Sequence, residues 1–115
     1  MENEKAKILI VDDVPENLIA LEAILACLDQ AVVRANSGRN ALKCMLEEDF
    51  AVVLLDVMMP DMDGFETAAL IRGRERSKHT PIIFVTAMYT TETHASLGYN
   101  IGAVDYIFKP LMPDV

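Results

Sequence analysis

Residues 51–56 read Ala51-Val52-Val53-Leu54-Leu55-Asp56, an apolar run closed by a single carboxylate. Residues 8–13, Ile8-Leu9-Ile10-Val11-Asp12-Asp13, repeat the pattern and close with two. Short apolar runs without alternating polar positions belong to strands buried on both faces, as in a parallel sheet. Two further runs follow: Ile82-Ile83-Phe84-Val85 ends in Thr86, and Ala103-Val104-Asp105-Tyr106-Ile107-Phe108 ends in Lys109. The strand ends thus carry three acids, a hydroxyl and an ammonium. Placed side by side, these groups form a site able to hold a divalent cation and a phosphoryl group.

Amphipathic stretches of helical period separate the runs, so the pattern is one of βαβ units in a doubly wound α/β domain. Strands are predicted near 7–11, 31–35, 51–55, 81–85 and 103–107. The first helix carries Leu18, Leu21, Ile24, Leu25 and Leu28 on one stripe, with Pro15 in its first turn. Ser37 is placed to cap a second helix with Ala41, Leu42, Met45 and Leu46 inward and Lys43, Glu47 and Glu48 outward. Asp63 and Glu66 have capping-box spacing and open a third helix whose apolar side is Phe65, Ala68, Ala69 and Ile71. A fourth helix, near 90–100, is built from poor helix formers: Thr90, Thr91, Thr93, Gly98 and Asn100. It is expected to be marginal and easily shifted. After Lys109-Pro110 the pattern calls for a fifth helix, yet the chain stops at Val115, so that helix is read as truncated.

The chain has 115 residues, a hydrophobic fraction of 52% and a formal charge of −8, which suits one domain with one core. The negative charge disfavours nucleic acid and anionic membrane as direct partners of this segment. Cys27 and Cys44 fall within helical patterns, lack C-x-x-C spacing and read as small core residues, which suits a reducing compartment. A charged N-terminus running straight into a strand, with no membrane-spanning apolar stretch, points to a cytoplasmic location. Asp61 and Asp63 are explained by turn and capping chemistry, and His79 and His94 read as solvated side chains.

In a doubly wound sheet, ligands bind at the carboxyl ends of strands where strand order reverses. Mg²⁺ takes one or two carboxylates plus water and phosphate oxygens. Asp12, Asp13 and Asp56 exceed that need, leaving one free to attack phosphorus and become an aspartyl phosphate. Thr86 can donate to a phosphoryl oxygen, and Lys109 can pair with Asp56 before transfer and with the phosphate afterwards.

These residues, together with Leu54-Leu55-Asp56-Val57-Met58-Met59-Pro60-Asp61-Met62-Asp63-Gly64, Val85-Thr86-Ala87 and Gly102-Ala103-Val104-Asp105-Tyr106-Ile107-Phe108-Lys109-Pro110, resemble the receiver domain of two-component response regulators over essentially the whole chain. The resemblance implies a flavodoxin-like sheet of order 2-1-3-4-5. It implies that Asp56 accepts a phosphoryl group from a phosphohistidine on a histidine kinase or phosphotransfer protein. Asp12, Asp13, Asp56 and the Met58 carbonyl would hold Mg²⁺, and Thr86 and Tyr106 would be a switch pair. The Lys109–Pro110 bond is typically cis in such domains.

Further expectations concern this chain itself. Met58 and Met88, two positions after Asp56 and Thr86, would shield the phosphoryl group from water and lengthen its life. The face of the fourth helix and fifth strand would carry the output. Without a fifth helix, apolar surface near strands one and five would invite homodimerisation or segment exchange. A haloacid-dehalogenase-type phosphohydrolase needs a second Asp where Met58 stands. A flavodoxin-like nucleotide binder needs a Gly- or Ser-rich loop where Asp12-Asp13-Val14-Pro15-Glu16-Asn17 stands. A receiver fold serving only as an interaction module would need a broken site. The wider protein is read as a hybrid histidine kinase or a multidomain regulator ahead of a stand-alone regulator, the truncation favouring a fragment of something longer.

Overall fold

The computed structural model describes residues 6–86 and 105–108. Strands and helices alternate as β1 (Lys7–Val11), α1 (Pro15–Leu25), β2 (Ala31–Ala35), α2 (Gly38–Glu47), β3 (Val52–Asp56), α3 (Gly64–Arg72), β4 (Ile82–Thr86) and β5 (Asp105–Phe108). The sheet runs β2-β1-β3-β4-β5 with every pairing parallel. This is a flavodoxin-like α/β sheet. The fourth and fifth helices, and with them His94, lie outside the described residues.

Side-chain alternation splits the core in two. Leu9, Val11, Val53, Leu55, Ile82 and Phe84 face α2 and α3, while Ile8, Ile10, Leu54 and Val85 join Leu18 and Leu21 of α1. Burial on both faces is why the strands read as unbroken apolar runs. Phe65 of α3 meets Phe84 edge-on at 4.9 Å between ring centroids. No helix among the described residues is long and apolar enough to cross a membrane.

The caps form as the local sequence requires. Ser37 accepts from the Asn40 amide at 3.0 Å, and Asp63 and Glu66 close a reciprocal capping box at 2.8 and 3.1 Å. Strands three and four begin one residue later than expected. Pro81 accepts from the Val53 amide but has no N–H to donate, so the β4 ladder starts at Ile82. The fifth strand is described from Asp105 rather than 103.

Several apolar positions turn outward, against expectation. Leu28 leaves the helical stripe because the chain tightens into a 3₁₀ turn at Ala26–Leu28 and Asp29 turns left-handed at φ 54°. Leu46 and Ala69 each sit one position, about 100° of rotation, off the buried stripe of their helix. In α3 the inward place is taken by Thr67, whose Oγ1 donates to the Asp63 carbonyl at 2.8 Å and so enters the core satisfied.

Neither cysteine is a full core residue: Cys27 is exposed in the 3₁₀ turn, Cys44 is half-buried, and both are free. Burial, then the neighbouring Glu47 and Glu48 charges, pushes the Cys44 thiol above its ordinary value. A raised pKa means less thiolate at any pH below it. At pH 8 iodoacetamide should therefore modify Cys27 well before Cys44, a difference peptide mass mapping reads directly; equal rates would contradict the packing of α2.

Candidate functional site

The β1–β3 register decides where the acids meet. Ile8 pairs with Val52 and each step continues to Val11 with Leu55, so the next step sets Asp12 beside Asp56. Neighbouring strands lie about 4.8 Å apart, and the two residues share the parity of Ile10 and Leu54, hence one side of the sheet. Because β1 pairs with β2 on one side and with β3 on the other, this is the point where strand order reverses.

Asp12 and Asp56 are 1% and 3% exposed, and Asp13, at the head of the following loop, is more open. Carboxylate oxygens of all three lie within 4.8 Å of one another. Asp12 is held by its amide donating to the Ala35 carbonyl at 3.1 Å and by its Oδ1 accepting from the Val14 amide at 3.0 Å. Taken alone, two ionised carboxylates 4.8 Å apart repel by about 3 kcal/mol at an effective dielectric constant near 20. A cation relieves that repulsion.

The donor set fits magnesium. Two direct ligands of an octahedral Mg²⁺ stand at most about 4.2 Å apart. A cluster spanning up to 4.8 Å could hold such an ion after a small closing movement, or with one carboxylate acting through water.

Behind Asp56 the chain turns through residues 57–63 into α3. Asp61 has a positive φ of 68°, and the Met62 amide donates to the Pro60 carbonyl at 2.7 Å, a tight γ-turn. Gly64 closes the loop, its amide donating to the Val57 carbonyl at 2.8 Å. A Cβ on Gly64 would stand 2.2 Å from the Asp56 carbonyl oxygen, so only glycine lets α3 start here. Sequence reading passed over this contact, for which the only signal was a glycine closing a turn rich in acids.

Of the other expected site residues, Thr86 is the last residue of β4, paired with Phe108, and Tyr106 pairs with Phe84 two residues before it. Met58 is 59% exposed on the loop after Asp56, whereas Met59 turns inward. Lys109, Pro110 and Met88 lie outside the described residues. His79 is exposed in the turn before β4, away from the carboxyl ends of the strands.

A response regulator receiver domain model matches residues 8–115. The chain is 39% identical over 104 residues to a probable cyclic di-GMP phosphodiesterase of Vibrio cholerae, covering 90% of this chain and 23% of that protein. It is 39% identical over 113 residues to the transcriptional regulatory protein SrrA of Staphylococcus aureus, covering 98% of this chain and 44% of that protein. It therefore spans less than half the length of these curated relatives. Among solved structures it is similar to the chemotaxis protein CheY4 of Vibrio cholerae, with TM-score 0.88, 33% identity, and 95% and 90% of the two chains covered. It is also similar to the receiver domain of the sensor histidine kinase PA1611 of Pseudomonas aeruginosa, described with a magnesium ion coordinated in the active site cleft. There the TM-score is 0.81, identity 29%, and coverage 92% and 86%.

Magnesium at 100 times its Kd should stabilise the folded chain by about 2.7 kcal/mol, seen as a raised Tm that a chelator reverses. Asp13→Asn should lose most of that gain. A Tm indifferent to magnesium would exclude the cluster as a cation site.

Proposed function

Because the chain belongs to the response regulator receiver domain family of two-component systems, we propose that it signals by magnesium-dependent transfer of a phosphoryl group from phosphohistidine to Asp56. The observation that carries this is the convergence of Asp12, Asp13 and Asp56, with Asp56 buried at the strand end next to the switch point. Receiver domains are signalling domains rather than turnover enzymes.

Asp12 and Asp13 would hold the ion, with Asp56 and the Met58 carbonyl completing the protein's share. When bound, the ion supplies positive charge beside the transferring oxygens. An Asp56 carboxylate oxygen attacks phosphorus, and the phosphorus–nitrogen bond breaks with its electron pair returning to the donor ring. The imidazole leaves neutral, its other nitrogen carrying the proton. Thr86 would donate to a phosphoryl oxygen, and Lys109 would pair with Asp56 before transfer and with the phosphate afterwards.

The donor histidine must come within reach of Asp56, so its protein must touch the rim. Val14 and Ile19, on the approach to and in α1, are 40% and 57% exposed, and Met58 is 59% exposed. α1 carries Glu16 and Glu22 as its only charges, and Ala23 is exposed along with Ile19. A helix with apolar residues on its solvent side suits a helix of a histidine kinase or phosphotransfer protein as partner. In the wider protein we place this segment as the receiver of a multidomain regulator or hybrid kinase, since the relatives it matches are much longer.

Thr86 and Tyr106 act as the switch, passing the phosphorylated state to the face of β5 and the fourth helix. Hydrogen exchange with and without a phosphoryl mimic should change within 86–106. Unchanged protection there would remove this face as the output.

Acetyl phosphate with magnesium should add one phosphoryl mass to the intact chain, and Asp56→Asn should abolish it; a modified Asp56→Asn protein would move the acceptor elsewhere. Met58 cannot orient water by a strong hydrogen bond, so the acyl phosphate should outlast donor removal well beyond seconds. Met58→Asn should shorten its life about two- to tenfold, the worth of one hydrogen bond.

A further inference from the structure

The first turn of α3 is gripped from two sides through glycine contacts, and we propose that this grip sets the position of Asp56, making Gly38 and Gly64 positioning residues for the acceptor site. The inference rests on the reading of Asp56 as acceptor.

On one side Gly64 lies against the acceptor itself. A Cβ there would fall 2.2 Å from the Asp56 carbonyl oxygen and 2.8 Å from the Val57 Cα. On the other side Gly38, the first residue of α2, lies against α3. A Cβ there would fall 2.4 Å from the Thr67 Oγ1 and 2.9 Å from the Met62 Sδ. Thr67 is fully buried and its hydroxyl donates to the carbonyl of Asp63, the N-cap residue directly before Gly64. Contacts thus run without a gap from α2 through Thr67 and Asp63 to Gly64 and the Asp56 backbone.

The chain between has little slack to absorb a shift. Residues 57–63 are closed by the Gly64–Val57 hydrogen bond, tightened by the γ-turn at Asp61, and capped by the Asp63–Glu66 box. Close-packed elements transmit displacement instead of dissipating it. A methyl on Gly38 would have to move the Thr67 hydroxyl about 1 Å to reach ordinary contact distance. A misplacement of ~1 Å can cost on the order of 100-fold in reactivity. Gly38 itself presents no group to the ion or the phosphoryl, so any effect it has must act through position.

The experiment measures magnesium affinity by amide NMR titration and phosphoryl uptake from acetyl phosphate. Gly38→Ala should weaken the first and slow the second, each about three- to thirtyfold, part of the 100-fold limit above. Adding Thr67→Ala to it removes the hydroxyl nearest the new methyl, leaving the flexible Met62 side chain to give way, and should make the double variant milder than the product of the two single effects, a compensation expected only of coupled neighbours. Gly73→Ala, whose Cβ would meet nothing nearer than 3.5 Å, serves as the control and should change neither. A folded Gly38→Ala protein with the parent's affinity and rate overturns the proposal, as does a double variant whose losses are the full product of the two single ones. Should Gly38→Ala fail to fold, Thr67→Ala alone decides: it adds no bulk, loosens the grip and should weaken magnesium binding, and an unchanged affinity overturns the idea. Should the parent bind magnesium yet take no phosphoryl group, the acceptor reading falls while the affinity series still judges the grip.

Discussion

Everything at the acidic cleft depends on the register of β1 against β3. Pairing Val11 with Leu55 brings Asp12 level with Asp56, and a slip of one residue would send one of the two to the opposite face. What holds that register is apolar burial below the cleft. Leu9, Ile10, Val11, Val53 and Leu55 are 0–1% exposed. Each such side chain contributes roughly 1.5–3 kcal/mol, so together they outweigh the few kcal/mol of carboxylate repulsion at the strand ends. The acids are pressed together because the strands have nowhere else to go.

The alternation that builds the two half-cores also divides the labour of the domain. Even-numbered positions of β1 and β3 face α1, and the acids continue that series, so the cleft opens on the α1 side. Odd-numbered positions face α2 and α3, which brace the sheet from behind. The loop after β3 must pass from one side to the other within a few residues. That is why it carries a positive φ at Asp61 and a glycine with no room for a side chain at Gly64.

Most of this was legible in the sequence wherever one local cause acts alone. Apolar runs gave the strands, Ser37 and Asp63 gave the caps, and the isolated charges at the run ends gave the cleft. Reading failed where two causes compete at one position. Leu46, Leu28 and Cys27 look like core by composition, yet helix geometry and a 3₁₀ turn carry them outward. Thr67 looks like surface, yet a backbone acceptor one turn back lets it enter the core. The glycine contacts were beyond reach for another reason: closeness between α2 and α3 is a tertiary distance, and a sequence shows only that a side chain is missing.

A cleft that gathers three acids is a poor host for a phosphoryl dianion unless positive charge arrives with it. That tension suits a switch better than a catalyst of turnover. In the proposed function Asp12, Asp13 and Asp56 would share a cation that offsets their mutual repulsion, and phosphorylation would turn the Asp56 carboxylate into an acyl phosphate whose oxygens need donors of their own. That demand would fall on the ends of β4 and β5, the strands next in order across the sheet. A ligand shifts a conformational equilibrium only by its different affinity for two states. In the proposed function that difference would come from which strand ends turn toward the new charge, so that chemistry at β3 would be read out two strands away, at β5.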